Sequence, residues 1–164
     1  MKSSNKFLIA IVIGAVLLMI TSIIIVLCKP EATYQAEDTP GGVVHNYLLA
    51  LQKEDYERAY AYLSETLPGY PANLSEFTLP IEHGNWHFRV GKDTALAIDD
   101  EKIMGSRAVV TVRETLFYNR GLFKSSTSID TFEVDLLKVE DQWKITYSDF
   151  YFRWCWNQKD GCHD

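Results

Sequence analysis

The pattern of apolar and polar positions divides the chain into three regimes. From Phe7 to Cys28, FLIAIVIGAVLLMITSIIIVLC, no residue is charged. From Val44 to Leu63 apolar residues recur at helical spacing, and from Thr94 onward they alternate. Each regime predicts its own kind of element.

In hydrocarbon every backbone N–H and C=O must be bonded within its own segment, so the uncharged run is predicted as a helix. At about 1.5 Å per residue it spans roughly 33 Å, enough for a bilayer core of ~30 Å. Thr21 and Ser22 are accommodated by hydroxyls that bond back to carbonyls of the preceding turn. The alternative is a cleaved signal peptide, whose apolar region is normally about 7–15 residues and ends at a small-x-small site. Here Ile25, Val26 and Leu27 precede Cys28, and a lipoprotein signal would want a small residue where Leu27 stands. The expectation is an uncleaved anchor in the lipid bilayer, with 1–6 as a cytoplasmic tail and 29–38 as a linker. Cys28 reads either as a plain helix residue or as an acylation site. Lys2 and Lys6 precede the run, whereas Lys29 alone follows it with Glu31, Glu37 and Asp38. That balance places the N-terminus in the cytoplasm and the large domain outside the cell membrane.

Thr39-Pro40 is a helix start, with Thr as N-cap and Pro at the first helical position. Val44, Tyr47, Leu48 and Leu51 then form one stripe at i, i+3, i+4, i+7. Tyr56, Ala59, Tyr60 and Leu63 repeat the template out of phase, with Asp55 placed to cap a second helix. Two helices follow, about 40–52 and 56–64. Pro68, Pro71 and Pro80 limit the next stretch to one short helix near Asn73. Asn73-Leu74-Ser75 is also a glycosylation sequon, meaningful only in a eukaryotic secretory route. Alternation predicts strands at about 94–103, 107–118, 129–139 and 142–151, with Glu140-Asp141 as a tight hairpin. Val110, Val112 and Leu116 share a face, as do Phe132, Val134 and Leu136. Strands with one apolar face need a cover, and the preceding helices supply it. The fold class is therefore α+β.

Composition adds bounds. The net charge is −6, and Lys2, Lys6 and Lys29 lie outside the globular part. An acidic domain is repelled by phosphates, which argues against nucleic acid as a partner. Aromatic residues at 13% argue for a packed core. Cys155 and Cys162 flank a turn-forming segment and would close a small disulfide loop outside the cytoplasm; the alternative is two unpaired thiols.

The run TPGGVVHNYLLALQKEDYERAYAYLSE resembles the opening of NTF2-like domains, and Ala-Val-Val-Thr-Val with Asp-Gln-Trp-Lys-Ile is similar to their closing sheet. The resemblance covers about residues 39–150 and is nearest to small extracytoplasmic members of unknown function that follow an anchor or lipoprotein signal. It implies a cone, a curved antiparallel sheet wrapped around helices with a pocket between them, and 151–164 as an added tail. A homodimer through the sheet is common in the superfamily. Its isomerases and dehydratases use Asp or His with Tyr in the pocket, but no motif here matches those positions, so no catalytic residue is carried over. The fold hosts enzymes, binding modules and scaffolds alike.

Glu114 falls on the apolar face of the second strand, where a carboxylate would be partly buried, and is the one candidate acid or base. Its alternative is a solvated position on the pocket rim. Tyr47, Tyr60 and Trp86 complete the candidate pocket, although the tyrosines are equally explained as core aromatics. His83 and His87 are four apart, but Gly84 and Asn85 between them argue for extended chain, so no metal site is expected. Cys155, Cys162, His163 and Asp164 could be drawn as a metal set, but a disulfide explains the cysteines more simply. No cofactor motif is present. The dense run from Phe150 to Trp156 either folds onto the core or forms a surface for a partner or the membrane interface. The leading expectation is a non-enzymatic, membrane-anchored domain that binds a partner protein or small ligand. The rival is a cone-pocket enzyme built on Glu114 and tyrosines.

Overall fold

The computed structural model describes residues 4–27, 32–84, 88, 91, 93–119, 125–159 and 161–162. They fall into two units divided between Ala32 and Thr33.

The first unit is one helix, α1 (Ser4–Leu27). Its segment Lys6–Ile24 is long and apolar enough to cross a membrane. Thr21 Oγ1 donates to Leu17 O and Leu18 O at 3.0 Å, and Ser22 Oγ to Leu18 O at 2.8 Å. Both hydroxyls are thereby satisfied inside the helix. Cys28 lies outside the described residues.

The second unit opens on α2 (Pro40–Gln52), whose N-cap Thr39 accepts from Gly42 N–H. A second cap, Asp55, accepts from Arg58 N–H and starts α3 (Tyr56–Ala61). This helix ends three residues before the expected 64. The reason is long-range: Ile145 N–H donates to Tyr62 O at 2.9 Å, and Ser64 N–H donates to Ile145 O at 2.8 Å. Once Leu63 pairs with the sheet edge, the helical hydrogen bonds give way to a strand-like bridge. Asn73 caps α4 (Leu74–Glu82), which is longer than expected because Pro80 is accommodated within it.

Four antiparallel strands follow in meander order: β1 (Thr94–Met104), β2 (Arg107–Asn119), β3 (Ser125–Val139) and β4 (Gln142–Ser148). Glu140 and Asp141 both take positive φ, 49° and 68°, closing the two-residue β3–β4 hairpin. The β1–β2 register skips Asp99 and the β3–β4 register skips Thr146. An extra residue bends and twists its strand, so the sheet is curved. Asp99 is ion-paired with Arg113 at the first of these sites. α2 packs against β1, β2 and β4. Val43, Val44, Tyr47 and Leu51 of this helix and Val110, Val112, Phe132, Val134, Leu136 and Ile145 of the sheet make the centre of the core. The architecture is the α+β expected from helices followed by a meander.

Within the stretch expected as linker, Thr33 to Glu37 form a strap docked on α2 and α3. Buried Asn46 grips Gln35 from both sides, accepting its N–H at 2.7 Å and donating to its C=O at 2.9 Å. The Arg58 guanidinium lies 3.6 Å over the Tyr34 ring. Tyr34 OH donates to Asp55 at 3.1 Å, and Glu37 accepts from Tyr62 OH at 2.6 Å and Arg58 Nη2 at 3.0 Å. The strap passes so near the first turn of α2 that a Cβ on Gly42 would lie 2.1 Å from Ala36 O. Two glycines in one helix are unfavourable; Gly42 is required by this close approach.

Candidate functional site

Side chains on β2 alternate between faces, and Glu114 follows Val110 and Val112 inward. Glu114 is 9% exposed, and its carboxylate is met by a residue 37 positions later. After Ser148 the chain turns back over the open side of the sheet. Ser148 Oγ donates to Phe150 O at 2.7 Å, and Tyr151 takes φ 60°. This left-handed backbone is costly for a bulky residue, and it aims the Tyr151 side chain into the domain. There the Tyr151 hydroxyl donates to Glu114 Oε1. Tyr47 OH, from the centre of α2, donates to Tyr151 O. Burial pushes the Tyr47 phenol well above its ordinary pKa, and burial together with the Glu114 acceptor does the same for Tyr151. Both remain neutral hydrogen-bond donors at physiological pH.

The rest of the tail continues the closure. Phe152 and Trp156 are buried, and Trp156 packs against Phe77, Phe88 and Phe152 with ring centroids 5.5, 6.0 and 5.0 Å apart. Tyr151 and Phe150 pack on Phe132. Trp154 faces outward at 62% exposure. A disulfide joins Cys155 and Cys162 across a Cα separation of 5.0 Å. The loop it closes sits on Gly69, whose N–H donates to Trp156 O at 2.9 Å and where a Cβ would lie 2.5 Å from Cys155 O.

Of the residues singled out in the sequence, Tyr47 and Glu114 meet at one point, and that point is Tyr151. Tyr60 is elsewhere: its hydroxyl donates to Pro71 O at 2.7 Å and its ring stacks on Tyr70 at 5.2 Å. Trp86 and His87 lie outside the described residues, as do His163 and Asp164. His83 ends α4, with Nδ1 2.8 Å from Leu79 O. Among the described residues no cluster of His, Cys, Asp and Glu is arranged to hold a metal. The residue the sequence reading did not single out is Tyr151. Its only sequence signal is its place in an aromatic run just after a strand.

A carboxylate hydrogen-bonded to a phenol is a competent proton-transfer pair in principle. Here the phenol is the chain's own, carried on the tail that follows β4. As arranged, the pair fastens the tail to the sheet.

No family model matches the chain, and no curated protein matches it. It is similar to several solved structures. An NTF2-like protein of unknown function from Shewanella oneidensis is 15% identical, with a TM-score of 0.43 over 65% of this chain and 90% of that one. A candidate ketosteroid isomerase from Shewanella frigidimarina is 21% identical, with a TM-score of 0.48 over 69% and 95%. A SEC-C motif containing protein from Rhodopseudomonas palustris is 10% identical, with a TM-score of 0.48 over 72% and 83%. At these scores no activity is carried over from any of them.

Proposed function

We propose that this chain is a single-pass membrane protein whose NTF2-like domain stands outside the cytoplasm and binds an envelope protein or small ligand without catalysing a reaction. The observation that carries this reading is Tyr151 on Glu114: the inward carboxylate, the group best suited to acid–base work, is occupied by the chain's own tail. Tyr47, Phe132 and Tyr151 belong to the same buried core cluster, and side chains of this size crowding a site count against catalysis there. The anchor reading draws support from α1. The compartment draws support from Lys2 and Lys6 before the run and from the Cys155–Cys162 disulfide, a bond at home in oxidising surroundings.

Two measurements test these parts separately. Carbodiimide labelling of the full chain in nanodiscs, read by mass spectrometry, modifies exposed Glu54 and Glu57 while leaving Glu114 unreacted. Labelling of Glu114 as fast as Glu54 would mean an accessible interior and would restore the enzyme reading. For the compartment, maleimide–polyethylene glycol added to native membranes under denaturing conditions attaches two more labels after reduction than before it. Equal labelling in both states would remove the oxidising compartment.

A further inference from the structure

A cleft of about 390 Å³ lies away from Glu114, between the strap, α3 and the start of β4. Its walls include Glu37, Arg58, Tyr62, Gln142, Trp143 and Lys144. Strand alternation determines what the main chain offers there. Ile145 turns its N–H and C=O away from β3, toward Tyr62 and Ser64. Trp143 is two residues earlier on the same strand, so its N–H and C=O point to the same side. Its cross-strand partner agrees: Lys138 directs its own N–H to Ser106 O at 2.7 Å, away from Trp143. A neighbouring strand would pair with Trp143 one step beyond the Leu63 bridge, but the chain there is already helical α3. Among the described residues no backbone group outside the sheet pairs with Trp143, so the sheet edge is open there for one residue, inside the cleft.

The charges in the cleft are unequal, two cations against one carboxylate. Arg58 donates through Nε to Tyr62 OH at 2.9 Å and through Nη2 to Glu37. Lys144 Nζ donates once, to Ala61 O at 2.8 Å, and has three N–H groups to give. The carboxylate is Glu37 of the strap, 51% exposed and seated on Tyr62 and Arg58. Its pKa is lowered first by the Tyr62 hydrogen bond and then by Arg58, with Lys144 adding to the pull. An exposed side chain held by exchangeable bonds is a displaceable occupant.

We infer that this cleft receives an extended, carboxylate-bearing peptide segment of a partner protein. The peptide's amide pairs with the Trp143 main chain, and its carboxylate meets Lys144 and Arg58 in competition with Glu37. An edge residue supplies main-chain bonds to an incoming extended segment, and the flanking cations select its charge. This inference rests on the binding-module reading and names the class of partner.

The test is a titration of the ¹⁵N-labelled full chain in nanodiscs, following the Trp143 and Lys144 backbone amides. The probes are acetyl-Ala-Glu-Ala-Glu-amide, the same peptide with Gln for Glu, and acetate. The acidic peptide shifts both amides saturably, whereas the Gln peptide and acetate do not. Lys144→Gln weakens binding about fivefold, the scale of a partly exposed charge pair. Glu37→Gln tightens it by removing the internal competitor, with the Asn46 side-chain amide signals confirming that the strap stays docked. Absence of saturation at millimolar peptide, equal shifts with the Gln peptide, saturation by acetate alone, or unchanged affinity in Lys144→Gln would each overturn the assignment. Because Glu114 labelling reports on the interior and this titration on the cleft, a negative result here leaves the closed interior standing.

Discussion

Alanine at Trp156 lowers the unfolding free energy of the domain by about 3–5 kcal/mol, the range for truncating a large aromatic in a packed core. Trp156 is fully buried and touches rings from α4, from Phe88 and from its own tail. Its loss therefore opens a cavity that no single neighbour can collapse into. Among the described residues the buried indole Nε1 has no hydrogen-bond partner, so Trp156→Phe forfeits volume but no polar contact with them and costs less. Trp154, two residues earlier and outward-facing, changes stability by no more than about 0.5 kcal/mol when truncated. Urea unfolding of the full chain in detergent, followed by near-ultraviolet circular dichroism, separates the three variants. Equal losses at 154 and 156 would contradict the division of the tail into a buried and an exposed face.

The second large effect concerns the Glu114–Tyr151 pair. Tyr151→Phe removes the donor and leaves a carboxylate in a mostly buried setting without it, costing about 1–3 kcal/mol or more for a charged group. Glu114→Met alone takes one acceptor from the Tyr151 hydroxyl and costs less, because the group affected is neutral. The double variant, Tyr151→Phe with Glu114→Met, replaces both partners by apolar groups of similar shape and recovers most of the first loss. A double-mutant cycle on unfolding free energies measures the coupling. Additive losses would show that the two side chains act independently and that the tail is held by its aromatic packing alone.

Local chemistry was readable where the cause is local. Thr39 and Asp55 are caps because of the residues immediately after them, and both cap as expected. Parity along β2 was enough to place Glu114 on the inner face. Its partner was not readable, because Tyr151 reaches it only through a turn at positive φ that no nearby Gly or Asn announces. The end of α3 was equally hidden, since Tyr62 and Ser64 answer to Ile145, some eighty residues away. Tyr60 shares a helical stripe with Ala59 and Leu63, yet its hydroxyl is captured by Pro71 from a loop that the stripe says nothing about. The strap was hidden by composition: KPEATYQAED is polar and reads as linker. Its one signal was Gly41-Gly42 inside an otherwise well-formed helix, a pair that propensity disfavours and that Ala36 O and the Glu101 carboxylate explain.

The closing residues also set an order of events during synthesis. Tyr151, Phe152 and Trp156 come after every helix and strand that they cover. At roughly 5–20 residues per second, α2 waits several seconds before the side chains that complete its core are made. Phe77, Glu114 and Phe132 each lack this cover from their own synthesis until the tail is made, and the nascent domain is meanwhile a half-closed shell with exposed aromatic surface. Maturation is therefore decided late, by the tail's arrival. A chaperone that recognises the rings of the core, Phe77 and Phe132 among them, has its window before the tail docks.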